Sequence, residues 1–300
     1  MRAKYFTLLI LLSLFTSEFV SAQMIILSGP ERGSYHTFVN DMIKVLEADS
    51  INAFTNVTTN GAAYNFNELY DPNTPVKMAM MQSDYLYYMQ MLDNKNNTEK
   101  TNNIKVLMPL GNEEIHIITR EEDKLTSITD LAKKRIACGT EGQGTYATAI
   151  LIKDKSRVFW NTEVLHFEKA LKDLMGYKID GFIMVGTAPL PGLQFNPQSV
   201  VTKLSLMNLE NVNGWAEYYQ PKIIKAGTYK WLANDVQSYS IKTVLVVNEA
   251  KLTPEDRELI ALFAQTLKVK YTTLVENGHP GWIEVNFTDW DPDNWPLFQN

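Results

Sequence analysis

After an apolar N-terminal segment, short apolar runs alternate with amphipathic ones along most of the chain. Residues 24–28 read as a strand. In 34–49 the apolar positions Phe38, Met42, Ile43, Val45 and Leu46 recur at helical spacing. The rhythm continues with a strand over 76–81 and a helix over 84–92, then two strands over 104–110 and 115–119. A short helix follows over 126–134, capped near Ser127 to Asp130. A strand at 135–138, a glycine-rich turn at 139–145 and a helix at 146–153 come next. Then come a strand-like run at 164–167, a helix at 168–175 and a strand at 181–185. Near the end, 243–248 predicts a strand. Thr253-Pro254-Glu255-Asp256 opens a helix over 257–269, with Thr253 as its cap and Pro254 in the first helical position. Strands alternating with helices predict an α/β protein with mostly parallel sheets. The asparagine-rich stretch 93–103 predicts an exposed loop, and 286–300 an irregular surface tail.

The first residues change the picture of where the chain works. Arg2 and Lys4 precede the apolar run 5–15, and Val20-Ser21-Ala22 closes it with small residues. This layout predicts a secretory signal, residues 1–22, cut after Ala22. The run is too short to span ~30 Å of hydrocarbon. No later stretch reaches ~18 uninterrupted apolar residues, so a soluble periplasmic protein is expected. The net charge of −6 argues against a nucleic-acid surface. The single cysteine, Cys138, excludes an intrachain disulfide and reads as a small buried residue in its strand.

Signatures of catalysis are weak. His36, His116, His166 and His279 show no metal-ligand spacing, and HExxH, CxxC and GxSxG are absent. No cofactor, metal site or catalytic residue is assigned. Polar turns where a strand meets a helix are more informative, because ligands of α/β proteins collect outside strand C-terminal ends. There are four: Ser28 to Tyr35, containing Gly33, Ser34 and Tyr35; Gln82-Ser83-Asp84; Gly139 to Thr145, containing Gly142, Gln143, Gly144 and Thr145; and Gly186-Thr187-Ala188-Pro189. Glycines there let backbone N–H groups approach a ligand, and a helix start offers partial positive charge to a carboxylate or phosphate. Asp84 suits either a helix cap or a ligand amine.

At these turns the chain resembles the TAXI family, the solute-binding proteins of TRAP transporters. Ser28-Gly29-Pro30-x-x-Gly33-Ser34-Tyr35 is similar to the family's opening G-G-P turn, and Gln82-Ser83-Asp84 to its Q-S/N-D element. Residues 114–120, Ile128-Thr129-Asp130-Leu131 and 135–145 resemble its central segment. Lys178-Ile179-Asp180-Gly181-Phe182 and His279-Pro280 look like later elements. Ser28 departs from the family's first glycine, and Gln143 stands where serine is usual. The resemblance implies a type II periplasmic-binding-protein fold with two lobes joined by a two-strand hinge. Lobe I would hold 23–113 plus 246–300 and lobe II 114–245, with 114–120 and 239–248 as the crossings. It also implies a monomer that closes on a small organic anion, dicarboxylate or glutamate-like, and docks on the membrane components of a TRAP-type transporter. Gly33, Ser34, Tyr35, Gln82, Ser83, Asp84, Gly142, Gln143, Gly144, Thr145 and Thr187 are the expected ligand-binding residues. Two alternatives stand beside this one: a sensor or scavenger without a transporter, and an exported enzyme on the same fold, with Asp84 and His116 the first residues to test.

Overall fold

A computed structural model describes residues 23–31, 33–194 and 203–299. The expected signal peptide, residues 1–22, and its cut after Ala22 lie outside the described residues. The first half builds β1 (Met24–Leu27), α1 (Ser34–Ala48), β2 (Phe54–Val57), α2 (Ala62–Tyr70), β3 (Met78–Gln82) and α3 (Ser83–Asn96). β1 pairs in parallel with β2 and β3. α1 buries Phe38, Val39, Met42, Val45 and Leu46 on one face, each large side chain removed from water contributing ~1.5–3 kcal/mol.

β4 (Ile104–Arg120) then runs unbroken for 17 residues. The two strands expected over 104–110 and 115–119 are one, because the ladder to the later strand β10 (Val236–Asn248) continues through the polar middle. Beyond β4 come β5 (Arg135–Ala137), α4 (Gly144–Ser156), β6 (Asn161–Glu163), α5 (Phe167–Met175), β7 (Gly181–Gly186), β8 (Leu204–Leu206) and β9 (Gln220–Ile224). The chain returns along β10 and ends in α6 (Pro254–Val269), α7 (Tyr271–Asn277) and an irregular tail. α6 starts as the sequence predicts: Thr253 Oγ1 accepts from the Asp256 N–H at 3.2 Å, and Asp256 accepts from the Thr253 N–H at 2.8 Å.

All strands among the described residues belong to one sheet, ordered β2-β1-β3-β10-β4-β7-β5-β6, with β8 on β4 and β9 on β10. The expectation of mostly parallel pairing needs correction. Parallel ladders occur in each half, but every strand ladder of β4 and β10 is antiparallel. These two strands carry the chain out and back, so they must run opposite to each other. The core divides accordingly. Two apolar clusters draw on 24–110 and 244–295, with Ala147 and Leu151 joining one of them. Two others lie within 115–241. The halves are called lobes I and II below.

Three local expectations shift. Residues 126–134 form only a 3-10 turn at Ile128–Leu131, because Ser127 and Asp130 close a capping box over four residues and Lys133 enters the left-handed region. The strand expected at 164–167 lies earlier, at β6, where register with β5 pairs Ile136 with Thr162, and Phe167 already opens α5. The expected loop 93–103 begins inside α3. Its buried Asp93 carboxylate accepts from Thr98 Oγ1 at 2.5 Å and from the Thr101 N–H at 2.9 Å, folding the stretch back on the helix.

Candidate functional site

A cavity of about 270 Å3 opens between the lobes. Lobe I contributes Gly33, Ser34 and Tyr35 at the start of α1, Gln82 at the end of β3, and Glu113 in β4. Lobe II contributes Gln143, Gly144 and Thr145 at the start of α4. Three of the four expected turns therefore supply lining residues. A buried network holds the first turn in place: Asn65 Nδ2 donates to the carbonyls of Ser28 and Met80, both at 2.7 Å, and Thr59 Oγ1 donates to the Ser28 carbonyl at 3.0 Å. The starts of α1 and α4 both face the cavity. Among the described residues, no acceptor engages the N–H groups of Ser34, Gly144 or Thr145. These helix starts offer partial positive charge without a charged side chain.

Gly139, in the turn before α4, holds φ +75°, a conformation glycine adopts without strain. Gln143 folds back on this turn, its Oε1 accepting from the Thr140 N–H at 3.0 Å. The amide that replaces the resemblance's serine thus braces its own loop. Thr145 Oγ1 accepts from the Val185 N–H at 3.2 Å, tying α4 to β7.

The other expected residues fall elsewhere. Gly142 is exposed and does not line the cavity. Its carbonyl accepts from the Ala63 N–H at 3.4 Å, a contact between the lobes. Thr187 lines a neighbouring cavity of about 480 Å3 with Asn112, His279 and Glu284, and donates to the Asn112 carbonyl at 3.0 Å. Gly33 and Ser34 border both cavities. Ser83 and Asp84 line neither cavity, and both are buried. Asp84 Oδ2 accepts from Thr148 Oγ1 at 2.6 Å and from the Tyr219 hydroxyl at 3.0 Å, both in lobe II. It is a buried link between the lobes. Burial raises its carboxyl to about 6, against the lowering effect of the Thr148 and Tyr219 hydrogen bonds.

Glu113 is the charged lining residue that sequence reasoning missed. It is buried, and accepts from Gln82 Nε2 and from Thr243 Oγ1 at 3.2 Å. Desolvation raises its carboxyl to about 7, partly offset by the hydrogen bonds from Gln82, Thr243 and Tyr35. A signal was visible: Glu113-Glu114 interrupts the apolar run of β4. Strand alternation sends adjacent residues to opposite faces. Glu113 lines the cavity, whereas Glu114 accepts from the Ala188 N–H at 2.8 Å and pairs with Lys222 at 3.5 Å.

His116 lies fully buried in lobe II between the Glu114 carbonyl at 2.9 Å and the Tyr229 hydroxyl at 2.8 Å. Burial lowers it to about 4, so it stays neutral near pH 7. Cys138 is buried, and desolvation pushes its thiol up to about 12. No group of three or more His, Cys, Asp or Glu among the described residues could hold a metal ion. No helix among them is long and apolar enough to cross a membrane.

A family model of the NMT1-like family matches residues 26–260. The chain belongs to the NMT1-like family. This NMT1-like chain is also similar to solved structures. The GluR0 ligand-binding core in complex with L-glutamate matches with a TM-score of 0.50 at 10% identity, over 84% of this chain and 94% of that one. XAC2383 from Xanthomonas citri, bound to ATP, matches with a TM-score of 0.52 at 6% identity, over 91% and 93%. An arginine periplasmic binding protein from Legionella pneumophila matches with a TM-score of 0.48 at 12% identity, over 84% and 95%. At such identities the likeness is one of fold. The NMT1-like chain shares its two-lobed α/β fold with the GluR0 ligand-binding core and XAC2383.

Proposed function

We propose that this protein is an extracytoplasmic solute-binding protein that captures a small organic acid between its lobes. The observation that carries the reading is the inter-lobe cavity, lined from both sides and faced by the starts of α1 and α4. Its volume of about 270 Å3 suits a metabolite-sized solute, since sites for drug-sized ligands occupy ~300–1,000 Å3. The N–H groups of Ser34, Gly144 and Thr145 would hold a carboxylate, and the Tyr35 hydroxyl and Gln82 would supply further hydrogen bonds. β4 and β10 are the crossings about which the lobes would close. Delivery to the membrane components of a TRAP-type transporter is part of this reading, and rests on the ordered TAXI-like turns. The protein would work as a monomer.

The test is isothermal titration calorimetry of the purified protein with C4–C6 carboxylic acids and amino acids. Saturable one-to-one binding of at least one compound is expected. Absence of binding to every anionic compound sinks the organic-acid reading.

A further inference from the structure

The cavity is polarised in a way that the capture of a carboxylate leaves unexplained. Among its described lining residues there is no lysine, arginine or histidine, and Glu113 is the one carboxylate. Glu113 extends from β4 beneath the start of α1. Three donors reach it: Gln82 Nε2, Thr243 Oγ1 and the Tyr35 hydroxyl. An ionised carboxylate has about four acceptor positions, so one remains. Beside it, Gln82 is 3% exposed, and its Oε1 is buried with no hydrogen-bond partner. That oxygen is aimed at the start of α4: a Cβ built on Gly144 would lie 1.8 Å from it. A buried acceptor without a donor is costly, and this one shares the cavity with a carboxylate. The rest of the wall in lobe II is apolar, formed by Leu165, Phe167, Phe182 and Met184.

We propose that Glu113 and Gln82 Oε1 form an ammonium subsite, and that the solute is a small amino acid whose remaining surface is apolar. This rests on the reading of the cavity as the solute site. Donors and acceptors then lie side by side in the cavity. The helix starts face the carboxylate, and the adjacent Glu113–Gln82 pair accepts from the ammonium, which has three donors to give. A second carboxylate on the solute would find no cationic side chain among the described lining residues, which disfavours dicarboxylates. Protonation of Glu113 opposes ammonium binding. The groups facing it are Tyr35 from α1, Gln82 from β3 and Thr243 from β10, with the Asp84 carboxylate at the start of α3 acting on it through its charge.

The experiment is titration calorimetry of the purified protein with matched pairs that differ by the amino group: L-leucine and 4-methylpentanoate, L-norvaline and pentanoate, L-glutamate and glutarate. The amino member of an apolar pair is expected to bind at least 10-fold tighter than its partner, and tighter than L-glutamate. Glu113→Gln, with folding checked by circular dichroism, is expected to erase that preference. Gln82→Met, which removes the second acceptor, is expected to reduce it. Affinity for L-leucine in the parent should rise from pH 5.5 to 7.5 as Glu113 loses its proton, and stay level in E113Q. Desamino acids that bind as tightly as the amino acids, or a preference that survives in E113Q, overturn the ammonium subsite and leave the cavity standing as the solute site. No binding by any compound of either set overturns both.

Discussion

Replacing Gly144 with alanine adds one methyl group where α4 of lobe II packs against Gln82 of lobe I. Its Cβ would stand 1.8 Å from Gln82 Oε1 and 2.6 Å from Gln82 Cδ, well inside any real carbon contact. Gln82 could rotate away only by giving up its hydrogen bond to the buried Glu113 carboxylate, a class of bond worth ~1.5–3 kcal/mol. Alternatively the lobes could spread. That would break the Ala63–Gly142 contact and the bonds from Thr148 and Tyr219 to Asp84. Either route costs the closed state about 2 kcal/mol, which is roughly 30-fold in Kd. The gain in helix propensity on replacing glycine is under ~1 kcal/mol and does not offset this. The assay is calorimetry with the tightest solute of the panel, run as a double-mutant cycle with Gln82→Ala. In the Q82A background the methyl group has room, so G144A should cost little there. An equal cost with and without Gln82, or none in either, would refute the reasoning.

Three further outcomes follow from buried groups. The folded Asp84 carboxyl is raised to about 6 from 3.8, so the folded state holds its proton more tightly than the unfolded chain. The resulting stability is full below about pH 4 and is lost as the pH rises through about 6, by about 3 kcal/mol. Asp84→Asn should flatten that part of the slope in urea melts at pH 4 and 8, and an unchanged slope rules the mechanism out. Arg120 is buried, donates to the carbonyls of Leu174 and Ile179 at 2.7 Å each, and pairs with Asp123 at 2.6 Å. Arg120→Met should destabilise by ~3–5 kcal/mol, and a loss under 1 kcal/mol in chemical denaturation contradicts it. The buried Cys138 should resist Ellman's reagent in the folded protein and react promptly in denaturant. Fast labelling of the native state counts against its burial.

Much of the architecture is written in local pattern. The apolar spacing of 34–49 became α1, and Thr253-Pro254 with Asp256 became the capped start of α6, because helix faces and caps are short-range devices. The short β2 and α2 escaped notice. β2 has four residues, and α2 starts from Gly61 at φ +113° without a side-chain cap, so neither carries a strong local signature. The polar turns were legible as places where a strand ends and a helix begins, since glycine and proline mark such joints.

What those turns face was not legible. By itself the sequence determined the alternation of strands and helices, the joints between them, and the absence of familiar catalytic spacings. The tertiary structure alone decided that β4 and β10 run antiparallel through both lobes, that Asp84 links the lobes instead of lining the cavity, and that Gln82, bonded to Glu113, meets Gly144 there. The physical reason is range. Periodicity and capping act over a few residues, whereas the Gln82–Glu113 pair joins positions 31 apart and the Asp84–Tyr219 bond positions 135 apart. Such meetings exist only once the strands have taken their register.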